Sequence, residues 1–176
     1  IKQIESAKGP PVHLWDPPFC GDMDLVIQKN GQWLFQGSPI GRKRLVKLFS
    51  SILRKENDDY FLVTPVEKVR IQVECFPFVA VLLRVENVNN QNLLIFTDNL
   101  DNQWVAGADH PIQVDIDPNT QEPTPYLLTR DGLNALIHRS VYYQMIELAE
   151  EFEKDSIRYL KINSQGQSFV LGSYCD

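Results

Sequence analysis

The chain has 176 residues, 43% of them hydrophobic and 23% charged. At roughly 150 residues per domain this gives one ordinary domain or two small ones, with enough material for a core. The composition excludes disordered, collagen-like and disulfide-scaffold chains, and apolar runs such as Phe78–Leu83 fall far short of the ~20 residues a spanning helix needs. A net charge of −6, from 17 Lys and Arg against 23 Asp and Glu, argues against a dedicated duplex-nucleic-acid binder. A phosphorylated small molecule needs only a local positive field.

The first residues, IKQIESAKGPP, carry no apolar core of a secretory leader. Cys20, Cys75 and Cys175 are odd in number and form no CxxC, so the expected location is the cytoplasm, with free thiols. His13, His110 and His138 have no zinc-ligand spacing. No metal or cofactor is expected.

From Lys8 to Pro18 the chain is too proline-rich for a helix or a central strand, and reads as an extended arm pinned by Leu14, Trp15 and Phe19. Asp24–Lys29 and Gln32–Gln36 flank Asn30-Gly31, a pair that predicts a hairpin with a type I′ turn. Ser38 as N-cap and Pro39 in the first turn open a helix over Pro39–Lys55. Leu45, Leu48, Phe49, Ile52 and Leu53 form its apolar stripe. Strands follow at Tyr60–Thr64 and Val66–Cys75.

Pro77 marks a boundary between residues 1–76, an α+β lobe with a proline-rich arm, and residues 77–176. The second lobe reads as short strands at Phe78–Glu86, Leu93–Thr97, Gln103–Ala106, Ile112–Ile116, Tyr126–Thr129 and Leu133–Ile137. A helix over Ser140–Glu153 follows, capped by Ser140, and a final hairpin spans Arg158–Ile162 and Phe169–Leu171. The expected class is α+β, two small lobes with a duplicated core, the second a bent antiparallel sheet capped by a helix and pleckstrin-homology-like by analogy. One internal echo supports duplication: Tyr60-Phe-Leu-Val-Thr64 against Pro125-Tyr-Leu-Leu-Thr129.

The informative charges sit at the helix ends. Helix N-termini favour acids, yet here Arg42, Lys43 and Arg44 occupy the first helix start. His138-Arg139 precede the second helix, and Glu150, Glu151 and Glu153 close it. A bound anion would reverse that mismatch; a solvated, salt-screened face is the bland alternative. Thr64-Pro-Val-Glu67-Lys68 falls at a strand turn, where a polar hairpin tip is the bland reading. Asp22 and Asp24, two apart on a strand, could hold Mg²⁺, although such sites usually also need substrate phosphates. No GxxxxGK[ST] and no GxSxG occurs, so neither a Walker-type phosphate loop nor a serine nucleophile elbow is legible. Among Trp15, Trp33, Trp104, Tyr142 and Tyr143, Tyr142 lies off the apolar stripe and is the aromatic expected to meet a ligand.

Pro11-Val-His-Leu-Trp-Asp-Pro-Pro-Phe-Cys-Gly-Asp22, Gly37-Ser-Pro-Ile-Gly-Arg42, Tyr60-Phe-Leu-Val-Thr-Pro-Val-Glu-Lys68, Ala108-Asp-His-Pro111 and Pro125-Tyr-Leu-Leu128 together resemble the signature blocks of the bacterial domain-of-unknown-function 1285 family. The resemblance implies a two-lobed fold with a duplicated core and a superficially pleckstrin-homology-like C-terminal half. It also implies a nucleotide-like ligand between the lobes and a role in signalling linked to oxidative stress. The family brings no catalytic residues.

The leading expectation is a non-enzymatic cytoplasmic sensor of a nucleotide-like or other phosphorylated small molecule, with no membrane or duplex nucleic acid involved. Its expected ligand-binding residues are Ser38, Gly41, Arg42, Thr64, Glu67, Lys68, Arg139 and Tyr142. Two alternatives stay open. One is a metal-dependent phosphohydrolase using Asp22, Asp24 or Glu67; the other is a protein-interaction module that docks through the arm or a sheet edge.

Overall fold

The computed structural model describes residues 9–174. The expectations for residues 1–8 and for Cys175 fall outside the described residues. Strand accounts for 54% and helix for 13%, so the chain is mostly β rather than an even α+β mixture. No helix among the described residues is long and apolar enough to cross a membrane. The chain divides into two compact units, Ile1–Pro77 with Asp131–Leu133, and Phe78–Arg130 with Asn134–Asp176.

In the N-terminal unit a short 3-10 helix at Val12–Leu14 precedes β1 (Phe19–Ile27), β2 (Trp33–Phe35), β3 (Ser38–Pro39), α1 (Lys43–Ser51), β4 (Leu53–Glu56), β5 (Asp59–Val63) and β6 (Lys68–Val73). Their sheet order is β3-β2-β1-β6-β5-β4, with β1 and β6 parallel and every other pair antiparallel. The C-terminal unit repeats the plan with β7 (Phe78–Val88), β8 (Gln91–Asp98), β9 (Gln103–Val105), β10 (Ile112–Ile116), β11 (Pro123–Arg130) and β12 (Leu133–Ile137). Its order is β10-β11-β12-β7-β8-β9, with β7 and β12 parallel at the centre. Counted from each unit's own first strand, both sheets run 3-2-1-6-5-4. The core is duplicated. The sequence echo falls on the fifth strand of each sheet, where Leu62 and Leu127 are both buried.

Several local expectations are corrected. The Asn30-Gly31 hairpin forms, with Ile27 opposite Trp33. Only Gly31 of that pair has positive φ (89°), and the Gly31 amide donates to the Gln28 carbonyl while Gln28 donates to Gln32. This is a three-residue turn, not a type I′ pair. Before α1, positive φ at two consecutive residues falls at Gln36 (50°) and Gly37 (78°). They turn β2 into β3, with Phe35 opposite Ser38. Ser38 and Pro39 are therefore strand, and the helix begins at Lys43 with Arg42 as an N-cap whose side chain caps nothing.

Helix α1 also ends early. Ile52 leaves it, and Leu53 pairs with Leu62 as β4 joins β5. Its buried residues are Val46 and Ser50, while Leu45 and Leu48 are 37% and 59% exposed; the expected stripe faces outward in part. The second helix, α2, spans Arg139–Leu148. Its N-cap is His138 rather than Ser140: the His138 Nδ1 accepts from the Ser140 amide at 3.2 Å, which requires the proton on Nε2. Glu150–Lys154 is not helix but β13, paired with β14 (Ile157–Ser164), which pairs in turn with β15 (Gln167–Tyr174). Phe152 stacks on Tyr159 across that ladder at 5.2 Å.

In the C-terminal unit α2 packs on β7 and β14, and the third sheet meets β8 and β10. Buried Ser164 pins this arrangement, its Oγ accepting from the Leu94 amide and donating to the Ala106 carbonyl. Buried Asp98 accepts from the Leu100 and Asn102 amides and from Trp104 Nε1. His110 Nδ1 lies 3.1 Å from the carbonyls of both Leu128 and Thr129, so it carries the donated proton. These contacts give Trp104 and the Ala108–Pro111 block structural work.

Candidate functional site

One face of the N-terminal sheet is ordinary core, with Leu25, Ile27, Trp33, Leu62 and Ile71 buried. The opposite face is defined by register: Asp22 and Phe61 both lie opposite Arg70, and Val26 lies opposite Gln72 and Leu34. At one end of this face the proline-rich arm lies down, Val12 packing with Phe61 and Val63 while Trp15 and Ile52 flank them. Arg54 holds the arm there, donating to the Trp15 carbonyl at 2.6 Å and the Val12 carbonyl at 3.3 Å. Its other terminal nitrogen meets Glu56 at 2.5 Å, and Lys68 meets the second Glu56 oxygen at 3.1 Å. Burial pulls the Glu56 carboxyl up, but the hydrogen bonds from Lys68 and Arg54 prevail and hold it below its usual range.

The uncovered part of the same face is a groove of about 820 Å³ lined by Asp22, Asp58, Asp59, Glu74 and Arg70, with Val26 and Leu34 among its apolar residues. Arg70 is the one cation in that lining and is already engaged, 2.6 Å from Asp22 and 3.8 Å from Asp59. Its hydrogen bond holds the Asp22 carboxyl below its usual range. Four carboxylates around one paired guanidinium make the groove unfavourable for a phosphate.

The sequence-derived residues fall into three places. Ser38, Gly41 and Arg42 lie on one exposed segment leading into α1, and an added Cβ at Gly41 would meet nothing within 4 Å. Thr64, Glu67 and Lys68 belong to the turn between β5 and β6. There the Thr64 Oγ1 accepts from the Glu67 amide at 3.0 Å, and the Thr64 amide donates to the Glu67 carbonyl. Lys68 is committed to Glu56 and lies over the Phe61 ring at 5.0 Å. Arg139 begins α2 and is exposed, whereas the Tyr142 hydroxyl donates to the Leu171 carbonyl at 3.0 Å. Burial pushes that phenol up, and Tyr143 is the exposed tyrosine of the pair, at 57%.

Sequence reasoning missed Arg54 and Arg70. The alternation of Arg70, Gln72 and Glu74 with Val69, Ile71 and Val73 did mark a polar sheet face. Nothing in the spacing announced which carboxylates would reach across it. Asp22 serves Arg70, and among the described residues no group of three or more His, Cys, Asp or Glu is placed to hold a metal ion.

Residues 10–75 match the N-terminal domain of the domain of unknown function DUF1285, and residues 77–171 match its C-terminal domain. No curated protein matches the chain. Two crystal structures do. A DUF1285 family protein from Silicibacter pomeroyi DSS-3 is 45% identical, with a TM-score of 0.83 over 96% of this chain and 90% of that one. A DUF1285 family protein from Shewanella baltica OS155 is 30% identical, with a TM-score of 0.56 over 71% of this chain and 91% of that one. With both domain matches in sequence along a duplicated pair of six-stranded sheets, this chain belongs to the DUF1285 family.

Proposed function

We propose that the protein is a non-enzymatic cytoplasmic binder of a nucleotide-like or other phosphorylated small molecule, acting in bacterial, stress-linked signal transduction. The start of α1 carries this reading. Arg42 stands at the N-cap with no side-chain cap, Lys43 and Arg44 follow, and the first turn holds no acid. The free amides and the dipole's positive end already favour an anion there, and three cations add to that field. Exposed Ser38 and Gly41 leave the approach open. The acidic groove offers phosphate no comparable place, so Lys68, Arg70 and Tyr142 are left to their structural partners. Support for a pleckstrin-homology-like C-terminal unit is its order of two consecutive three-stranded runs followed by one helix.

The test is a thermal-shift screen with nucleotides, dinucleotides and inorganic pyrophosphate. A ligand at 100 times its dissociation constant adds about 2.7 kcal/mol of stability. Arg42→Ala should then weaken binding by roughly tenfold to a hundredfold, the worth of one charged hydrogen bond. No stabilisation by any phosphorylated compound at millimolar concentration overturns the reading. Turnover of a nucleotide in Mg²⁺ overturns its non-enzymatic part.

A further inference from the structure

Residues 9–18 include Pro10, Pro11, Pro17 and Pro18, positions with no amide to give a sheet ladder. The arm therefore does not pair as a strand. Among the described residues its backbone hydrogen bonds stay local: the Val12 amide donates to the Pro10 carbonyl, Leu14 to Pro11 and Trp15 to Val12. Side chains tie it to the N-terminal sheet. Val12 is buried with Phe61 and Val63, with Trp15 and Ile52 packed alongside, and Arg54 donates to the Val12 and Trp15 carbonyls. Leu14, between those two carbonyls, is 72% exposed.

Beneath the arm the register builds one continuous row. Arg54 stands opposite Phe61, Phe61 opposite Arg70, and Arg70 opposite Asp22. The row runs from under the arm into the acidic groove. Every strand pairing of this sheet lies among β1 to β6, so lifting the arm breaks none of them. What opening gives up is the burial of Val12, part of Trp15 and the two Arg54 bonds, a small fraction of the unit's contacts. Such a segment opens at a lower free energy than the whole unit. Its prolines keep the released arm extended, so closing again orders few dihedrals.

We propose that residues 9–18 are a strap that lifts from the paired sheet and closes on it again, switching this face between two forms. The closed form is the resting one, because Phe61 and Val63, 7% and 0% exposed beneath the strap, would otherwise meet water. In it the lining holds one cation, Arg70, already engaged by Asp22. In the open form the groove extends over Phe61 and Val63. Arg54 then loses its two carbonyl acceptors and turns a second guanidinium to the groove, beside Glu56. The strap thus governs the length, the apolar area and the charge of the groove together.

Thiol labelling of the full chain tests the strap, read by mass spectrometry at the variant's own peptide so that Cys20, Cys75 and Cys175 do not interfere. Val63→Cys places a thiol beneath the strap, and Val12→Cys places one on its underside. Each should label faster than global unfolding of the same variant allows, as followed by circular dichroism in urea. The urea slope of labelling should be much the smaller, since little surface is exposed when the strap lifts. Adding Arg54→Met should speed labelling by about tenfold to a hundredfold, the worth of one charged hydrogen bond. Labelling with the rate and slope of global unfolding overturns the proposal, and so does a rate indifferent to Arg54→Met. Val12→Cys decides alone if Val63→Cys does not fold, because its site lies outside the sheet.

Discussion

The two units share one strand order and spend their connections differently. Between its third and fourth strands the N-terminal unit inserts α1, whereas the C-terminal unit crosses from β9 to β10 in a short loop held by His110. The C-terminal unit places its helix after the sixth strand and adds a third sheet, pinned by Ser164. The N-terminal unit covers part of its second face with the arm and leaves the remainder as the acidic groove. The repeated sheets act as scaffold. Chemistry that differs between the units lies in what was inserted or laid over them.

The equivalence of the two fifth strands is the part of this comparison most easily broken. Leu62 and Leu127 are both buried, and Leu→Ala at either should lower stability by about 2–5 kcal/mol. Urea unfolding checks this, and a loss at one position without the other would end the equivalence. Arg54→Met should destabilise the N-terminal unit alone, by about 1.5–3 kcal/mol, since the carbonyls of Val12 and Trp15 lose a charged donor. Limited proteolysis within residues 9–18 reports the freed arm.

A finer contrast lies in the caps. His138→Ala should cost about 1 kcal/mol by uncapping α2, while Arg42→Ser should stabilise α1 by a similar amount, because it supplies a cap where none exists. That second variant should also lose phosphate binding, setting stability against function at one residue. The smallest expected effect is on pH. The Glu56 carboxyl is depressed in the folded state, so its contribution is fully present above the ordinary carboxylate range near pH 4.5 and is lost as pH falls through the folded value. Acid titration of the wild type against Glu56→Gln should show a modest extra loss in the wild type below about pH 4.5.

Most strands were legible in the sequence, because alternation at period two survives wherever one face is buried, as at Leu25, Ile27 and Trp33. The helices were legible as helices but not in extent. Ile52 and Leu53 continue an i, i+3, i+4 pattern, and only the pairing of Leu53 with Leu62 shows that the chain has already become strand. Glu150–Lys154 was misread in the same way, since local spacing carries no information about β14. At the candidate site, the cations at α1 were visible in the sequence and their lack of a cap was not. The commitments of Lys68 to Glu56 and of Tyr142 to Leu171 were invisible for a related reason: each joins residues far apart in the chain.

The parallel pairing of first and last strands sets an order of events during synthesis. Because β1 is hydrogen-bonded to β6, and β7 to β12, neither six-stranded sheet can close until its final strand leaves the ribosome. Until then each nascent half carries one exposed edge, open to pairing with the wrong strand. The first unit reaches closure once Val73 has emerged, before the second has begun its own strands. With two sheets of one topology in a single chain, that head start lets the first close before its near-copy exists to compete for the edge.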